Sequence, residues 1–69
     1  MEQILQLNDL MLQLQGKDKI EAHQTELLYN LNNYFFPDLK EYNKSCASCR
    51  ERVYNRMSSY WDTNYKNKL

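Results

Sequence analysis

The residues with the greatest capacity for chemistry lie in one short stretch, Cys46-Ala47-Ser48-Cys49, with arginines following at 50, 52 and 56. Two thiols at i and i+3 project from one side of a helix and can hold the same metal ion, yet a structural zinc site takes four ligands and this pair supplies two. His23 is the only histidine in the chain. If the helices on either side of Pro37 pair antiparallel, positions whose numbers add to about 74 lie level. His23 then sits opposite residue 51, within a turn of Cys49. A zinc-stapled domain would use Cys46, Cys49 and His23, with Glu26 or a second copy completing the set.

A redox use of the pair requires the motif at a helix N-terminus, where the dipole lowers a thiol pKa. Here no strand precedes the motif, and the helical pattern starts before it, at Asp38, which argues against that use. Cysteine is also a small, apolar, commonly buried residue. The register places both sulfurs on the apolar stripe of a third helix, so packing is the favoured reading. The chain has no run of 18 apolar residues, and its first residues lack the basic and apolar regions of a secretory signal. The expectation is a cytoplasmic, reducing location, in which the two cysteines stay thiols. Eight asparagines, six tyrosines and six lysines suggest an AT-rich coding genome of the kind that encodes small phage proteins, which would place the protein in a virion or an infected cell.

The arginines allow a second chemistry. Arg52 and Arg56, one helical turn apart, form a basic edge that could contact phosphates while Tyr54, Tyr60, Trp61 and Tyr65 stack on bases. Three arginines interrupted by Glu51 are a thin footprint; solvated charge is the favoured reading, and a nucleic-acid partner is not expected. Arg50 falls inside the apolar stripe, where it must pair, snorkel or anchor an interface. Charge is unevenly divided along the chain. Residues 1–43 carry three lysines against seven carboxylates, a net of −4, and residues 44–69 carry six cations against two carboxylates, a net of +4. The two halves are expected to pack on one another, within a chain or between copies.

Catalysis is not expected. One glycine and one histidine in 69 residues leave no phosphate-cradling loop, no paired carboxylates and no nucleophile–base arrangement. With one proline besides, a turn-rich β fold is excluded in favour of helices. No cofactor is implied apart from the possible zinc, and no small-molecule substrate or membrane contact is evident.

The elements that must position these residues are three helices, predicted over residues 2–15, 19–36 and 38–61, in one domain with a polar, frayed tail at 62–69. The first has apolar residues at Ile4, Leu7, Met11 and Leu14, widened by Leu5, Leu10 and Leu12. They cover an arc of roughly 220°, about twice what one packing partner needs. Gly16 ends it. The second opens on the capping-box pattern Asp18-Lys19-Ile20-Glu21 and carries Ile20, Leu27, Leu28, Leu31, Tyr34 and Phe35 up to Pro37. The third opens at Asp38 and carries Leu39, Tyr42, Cys46, Cys49, Val53, Met57 and Tyr60, with Trp61 at the margin. Asn43-Lys44-Ser45 is its weakest stretch, and Ser45 could cap a new helix if it breaks there. The fold class is therefore all-α, a helical hairpin or three-helix assembly. The over-wide face of helix one predicts a protein partner or a homo-oligomer, with Ile4, Leu7, Met11, Leu14, Arg50, Tyr60 and Trp61 as its interface. The expected function is that of an adaptor, assembly component or inhibitor.

Overall fold

In the computed structural model, which describes residues 2–16 and 19–68, three α-helices and one short 3₁₀ turn account for the regular structure. Helix α1 spans Glu2–Leu14, α2 spans Ala22–Phe35, the 3₁₀ turn spans Pro37–Leu39 and α3 spans Ala47–Asn64. Each helix touches both others. The all-α expectation holds, in its three-helix form.

The core lies where the three helices meet. Leu7, Leu10, Met11 and Leu14 of α1 face Leu28, Tyr29 and Leu31 of α2 and Val53, Met57 and Trp61 of α3, all at most 3% exposed. The i, i+4 steps of Val53, Met57 and Trp61 make the inner row of α3. Two hydrogen bonds extend this apolar contact. Trp61 Nε1 donates to Asn8 Oδ1 at 3.0 Å, and Gln24 Nε2 donates to Gln13 Oε1 at 3.3 Å. Each ties α1 to another helix.

Helix α1 ends where expected. Gly16 has φ of 77°, in the left-handed region that glycine enters without a Cβ penalty. The start of α2 differs from the prediction. Its cap is Glu21, and Gln24 Oε1 accepts the Glu21 backbone N–H at 3.0 Å. The Asp18 cap lies outside the described residues. Ile20 precedes the helix and packs against the core.

The largest correction concerns α3. Pro37 opens a 3₁₀ turn, and the chain then runs non-helically from Lys40 to Cys46, so α3 begins nine residues later than Asp38. Remote side chains satisfy the backbone of this loop, replacing the bonds a helix would have made. Asn33 donates to the Glu41 carbonyl at 3.0 Å and accepts from the Glu41 N–H at 2.9 Å. Asn32 Nδ2 and Arg56 Nη1 both donate to the Leu39 carbonyl, at 3.1 and 3.2 Å. Tyr29 donates to the Asn43 carbonyl at 2.9 Å and Arg50 to the Lys44 carbonyl at 2.6 Å. Glu41 Oε1 accepts from the N–H groups of Tyr42 and Asn43. Leu39 and Tyr42, expected on the buried stripe, are consequently exposed.

The far end of α3 is also more ordered than a frayed tail. The helix continues to Asn64, whose side chain donates to the Tyr60 carbonyl at 2.9 Å. Tyr65 and Lys66 both donate backbone N–H groups to the Trp61 carbonyl. Tyr65 docks edge-on against Tyr60, their ring centroids 5.5 Å apart and their hydroxyls 3.2 Å apart. No described helix is long and apolar enough to cross a membrane.

Candidate functional site

The two cysteines stand where the loop becomes α3. Cys46 is the N-cap of that helix, with extended backbone, and Cys49 lies in its first turn. The pair forms a disulfide, with Cα atoms 5.1 Å apart. This corrects two expectations: the sulfurs are bonded to one another, and the motif opens the helix instead of lying along its stripe. The cause is the loop described above, which delays the helix until the first cysteine. Cys46 Sγ takes the place of the usual capping oxygen and accepts the Cys49 N–H at 3.1 Å. The Ser48 hydroxyl lies 3.4 Å from the same sulfur. Ser45 does not cap. Both cysteines are half-buried.

His23 does not join them. It is exposed on the first turn of α2, and among the described residues no three His, Cys, Asp or Glu side chains group closely enough to hold a metal ion. The antiparallel estimate assumed that Pro37 was the whole connection between the helices. The extended loop of residues 40–46 alters the register, so the zinc-stapled arrangement of Cys46, Cys49 and His23 is not formed.

Each arginine of α3 has a partner within the chain. Arg50 spans the cysteine motif to the Lys44 carbonyl. Arg52 lies 3.9 Å from Glu41 on the surface. Arg56 Nη1 donates to Asn32 Oδ1 at 2.7 Å, and its guanidinium lies 5.9 Å from the centre of the Phe36 ring. Arg56 thus holds the loop to α2 and α3, which leaves its guanidinium less free for a phosphate. Of the two charge halves, the Arg52–Glu41 pair is the only ion pair crossing between them among the described residues. The packing of N-terminal on C-terminal elements is mainly apolar.

Most residues expected at an interface belong to the core. Leu7, Met11, Leu14 and Trp61 are buried within the chain, and Ile4 and Tyr60 are half-buried. Tyr60 packs against Phe35, Phe36 and Tyr65 at centroid distances of 5.1 to 5.5 Å. The wide arc of α1 meets two neighbours, as its width required, but both are in its own chain. What remains outside is Leu5 and Leu12, 51% and 55% exposed.

A groove of about 460 Å³ opens beside the cysteine motif. Ile20, Leu28, Tyr29 and Tyr54 form its apolar floor, and Lys19, Arg50 and Glu51 bring charge to it. Burial raises the Tyr29 pKa above its ordinary value, with the Glu41 carboxylate adding to the effect. Sequence reasoning missed this groove because its walls come from three segments brought together by the loop. Compared with known proteins, the chain matches no family model, no curated protein and no solved structure.

Proposed function

We propose that this protein acts by protein–protein contact and not by catalysis, as an assembly component that associates head-to-tail with further copies of itself. The observation that carries this reading is the outer face of α1. Leu5 and Leu12 remain half-exposed there, seven residues apart and so about 20° from alignment, two turns along one helix face. Glu2 and Asp9 lie within about 60° of that line, which makes the face an apolar pair flanked by carboxylates.

The groove beside α3 has the complementary chemistry, an apolar floor with Lys19 and Arg50 outnumbering Glu51 among its charged residues. A two-fold pairing of α1 with α1 is disfavoured, because it would bring Asp9 of each copy together near the axis. Placing the α1 face of one copy in the groove of the next avoids that repulsion and pairs opposite charges. Covering two half-exposed leucines contributes about 2–3 kcal/mol. Association is therefore weak, with Kd on the order of 1 mM once flanking exposed ion pairs are included. It would act where copies are held at high local concentration.

The test is light scattering after size exclusion, from about 10 µM to 2 mM protein, at low and high salt. Apparent mass should rise with concentration and fall with salt. Leu5→Lys with Leu12→Lys should abolish the rise without lowering the melting temperature. Asp9→Lys and Arg50→Glu should each weaken association, and mixing the two variants should restore it between unlike copies. A monomer throughout that concentration range refutes the reading.

A further inference from the structure

We propose that Cys46–Cys49 is a reversible dithiol–disulfide exchange centre, reacting with small external thiols and disulfides, in which Cys46 is the attacking thiolate of the reduced form. The inference stands on the placement of the motif and is independent of self-association.

Three observations converge on Cys46. It caps an 18-residue helix, with its sulfur at the end where unpaired N–H groups and the helix dipole favour negative charge. Its sulfur accepts the Cys49 N–H at 3.1 Å, and the Ser48 hydroxyl lies 3.4 Å away. Both contacts favour a thiolate over a thiol. The charged residues flanking the motif in sequence are Glu41 and Lys44 before it and Arg50, Glu51 and Arg52 after it, with Lys19 lining the same groove as Arg50 and Glu51. Cations outnumber carboxylates in that set, which favours the anion further. Among the described residues the Cys49 sulfur receives no comparable backbone donor.

The chemistry balances with one thiol–disulfide couple as co-reactant. In the oxidising direction for the partner, an external thiolate attacks Cys46 Sγ. The S–S bond breaks and its electron pair leaves on Cys49 Sγ, which takes up a proton. A second external thiolate attacks the external sulfur of the mixed disulfide and releases Cys46 as the thiolate, the better leaving group. The sum is one protein disulfide and two thiols giving one protein dithiol and one external disulfide, with two electrons and two protons transferred. In the other direction the Cys46 thiolate attacks an external disulfide, expelling one thiolate. Cys49, after losing its proton, attacks Cys46 Sγ and expels the second. The half-burial of both cysteines leaves the sulfurs open to a small reagent while the helix holds their geometry.

The test uses the full chain, reduced with dithiothreitol, freed of reagent and exposed to limiting iodoacetamide between pH 5 and 9. Mass spectrometry of peptides locates the label. Cys46 should react first, with a pH midpoint at least about one unit below the ordinary thiol value of about 8.5. At pH 7 it should react about tenfold faster than Cys49. Reduced and oxidised glutathione mixtures should interconvert the two forms reversibly. Cys46→Ser preserves a capping oxygen and therefore the helix, read by circular dichroism, and should remove the low-pH reactivity, whereas Cys49→Ser should retain it. Equal rates at the two cysteines with midpoints near 8.5, preferential labelling of Cys49, or failure of oxidised glutathione to re-form the pair would each overturn the proposal.

Discussion

Replacing Asn32 by leucine tests whether the loop ahead of α3 is held by the buried amide to which its bonds lead. Asn32 is fully buried, yet none of its side-chain atoms lacks a partner. Its Nδ2 donates to Asn33 Oδ1 at 2.9 Å and to the Leu39 carbonyl at 3.1 Å, and its Oδ1 accepts from Arg56 at 2.7 Å. Leucine has a similar volume and no polar atoms. The lost bond to a charged group is worth about 1.5–3 kcal/mol and each neutral bond about 0.5–1.5 kcal/mol. Part is recovered, because the Leu39 carbonyl keeps Arg56 and Asn33 Oδ1 keeps the Glu41 N–H. The expected net loss is about 2–4 kcal/mol, against a total stability of about 3–10 kcal/mol for a chain this long. Melting should fall by about 10 °C or more, followed by circular dichroism with urea unfolding in parallel. Arg56→Met retains the stem beside Phe36 and completes a double-mutant cycle, with an expected coupling of about 1–2 kcal/mol. A stability within about 0.5 kcal/mol of the parent, or no coupling, would show that the loop is held by something else.

Two further outcomes follow from particular residues. Gly16→Ala should cost about 1 kcal/mol although among the described residues nothing beyond its own helix and chain neighbours lies within 4 Å of the added Cβ, because the strain is in the backbone at φ of 77°; an unchanged urea midpoint would contradict this. The Tyr60 pKa is pushed up to about 12, first by the hydrogen bond with Tyr65 and then by burial. The unfolded phenol titrates near 10, so the folded chain keeps this proton where the unfolded chain has lost it. The corresponding stability is complete below about pH 10 and disappears as pH rises towards 12. Absorbance titration at 295 nm should show, beside the raised Tyr29, a late tyrosine that moves back towards 10 in Tyr65→Phe, and no such movement would disprove the pairing.

Much of the helical framework was legible because it depends on local pattern. Leu7, Met11 and Leu14 repeat at the spacing of a helical face, and they form the inner side of α1. Gly16 and Pro37 act through their own backbone geometry, so the ends of α1 and α2 were readable without a neighbour. Leu28, Leu31, Val53 and Met57 likewise fell on stripes that became core. The surface role assigned to α1 was not readable. Arc width says how many neighbours a helix needs but not whether they belong to the same chain, and here α2 and α3 supplied both. Tyr29 and Asn32 were overlooked as buried positions. Each carries a polar atom whose partner, at Asn43 and Arg56, lies 14 and 24 residues away.

The cysteine motif divides most clearly between the two levels. Sequence alone determined that Cys46 and Cys49 sit three apart in a helical region, close enough to share an ion, a bond or a packing surface. Continuous periodicity from Leu39 to Tyr60 then argued for packing, since the apolar spacing runs through the motif without interruption. Only the tertiary structure decided that the helix starts at Ala47. Asn32, Asn33, Tyr29 and Arg56 offer the preceding backbone its hydrogen bonds, and a chain satisfied from outside has no need of helical bonds along itself. Those long-range bonds turn Cys46 from one more residue on a stripe into the cap of α3, and with that change the motif acquires the electrostatic setting of a reactive sulfur.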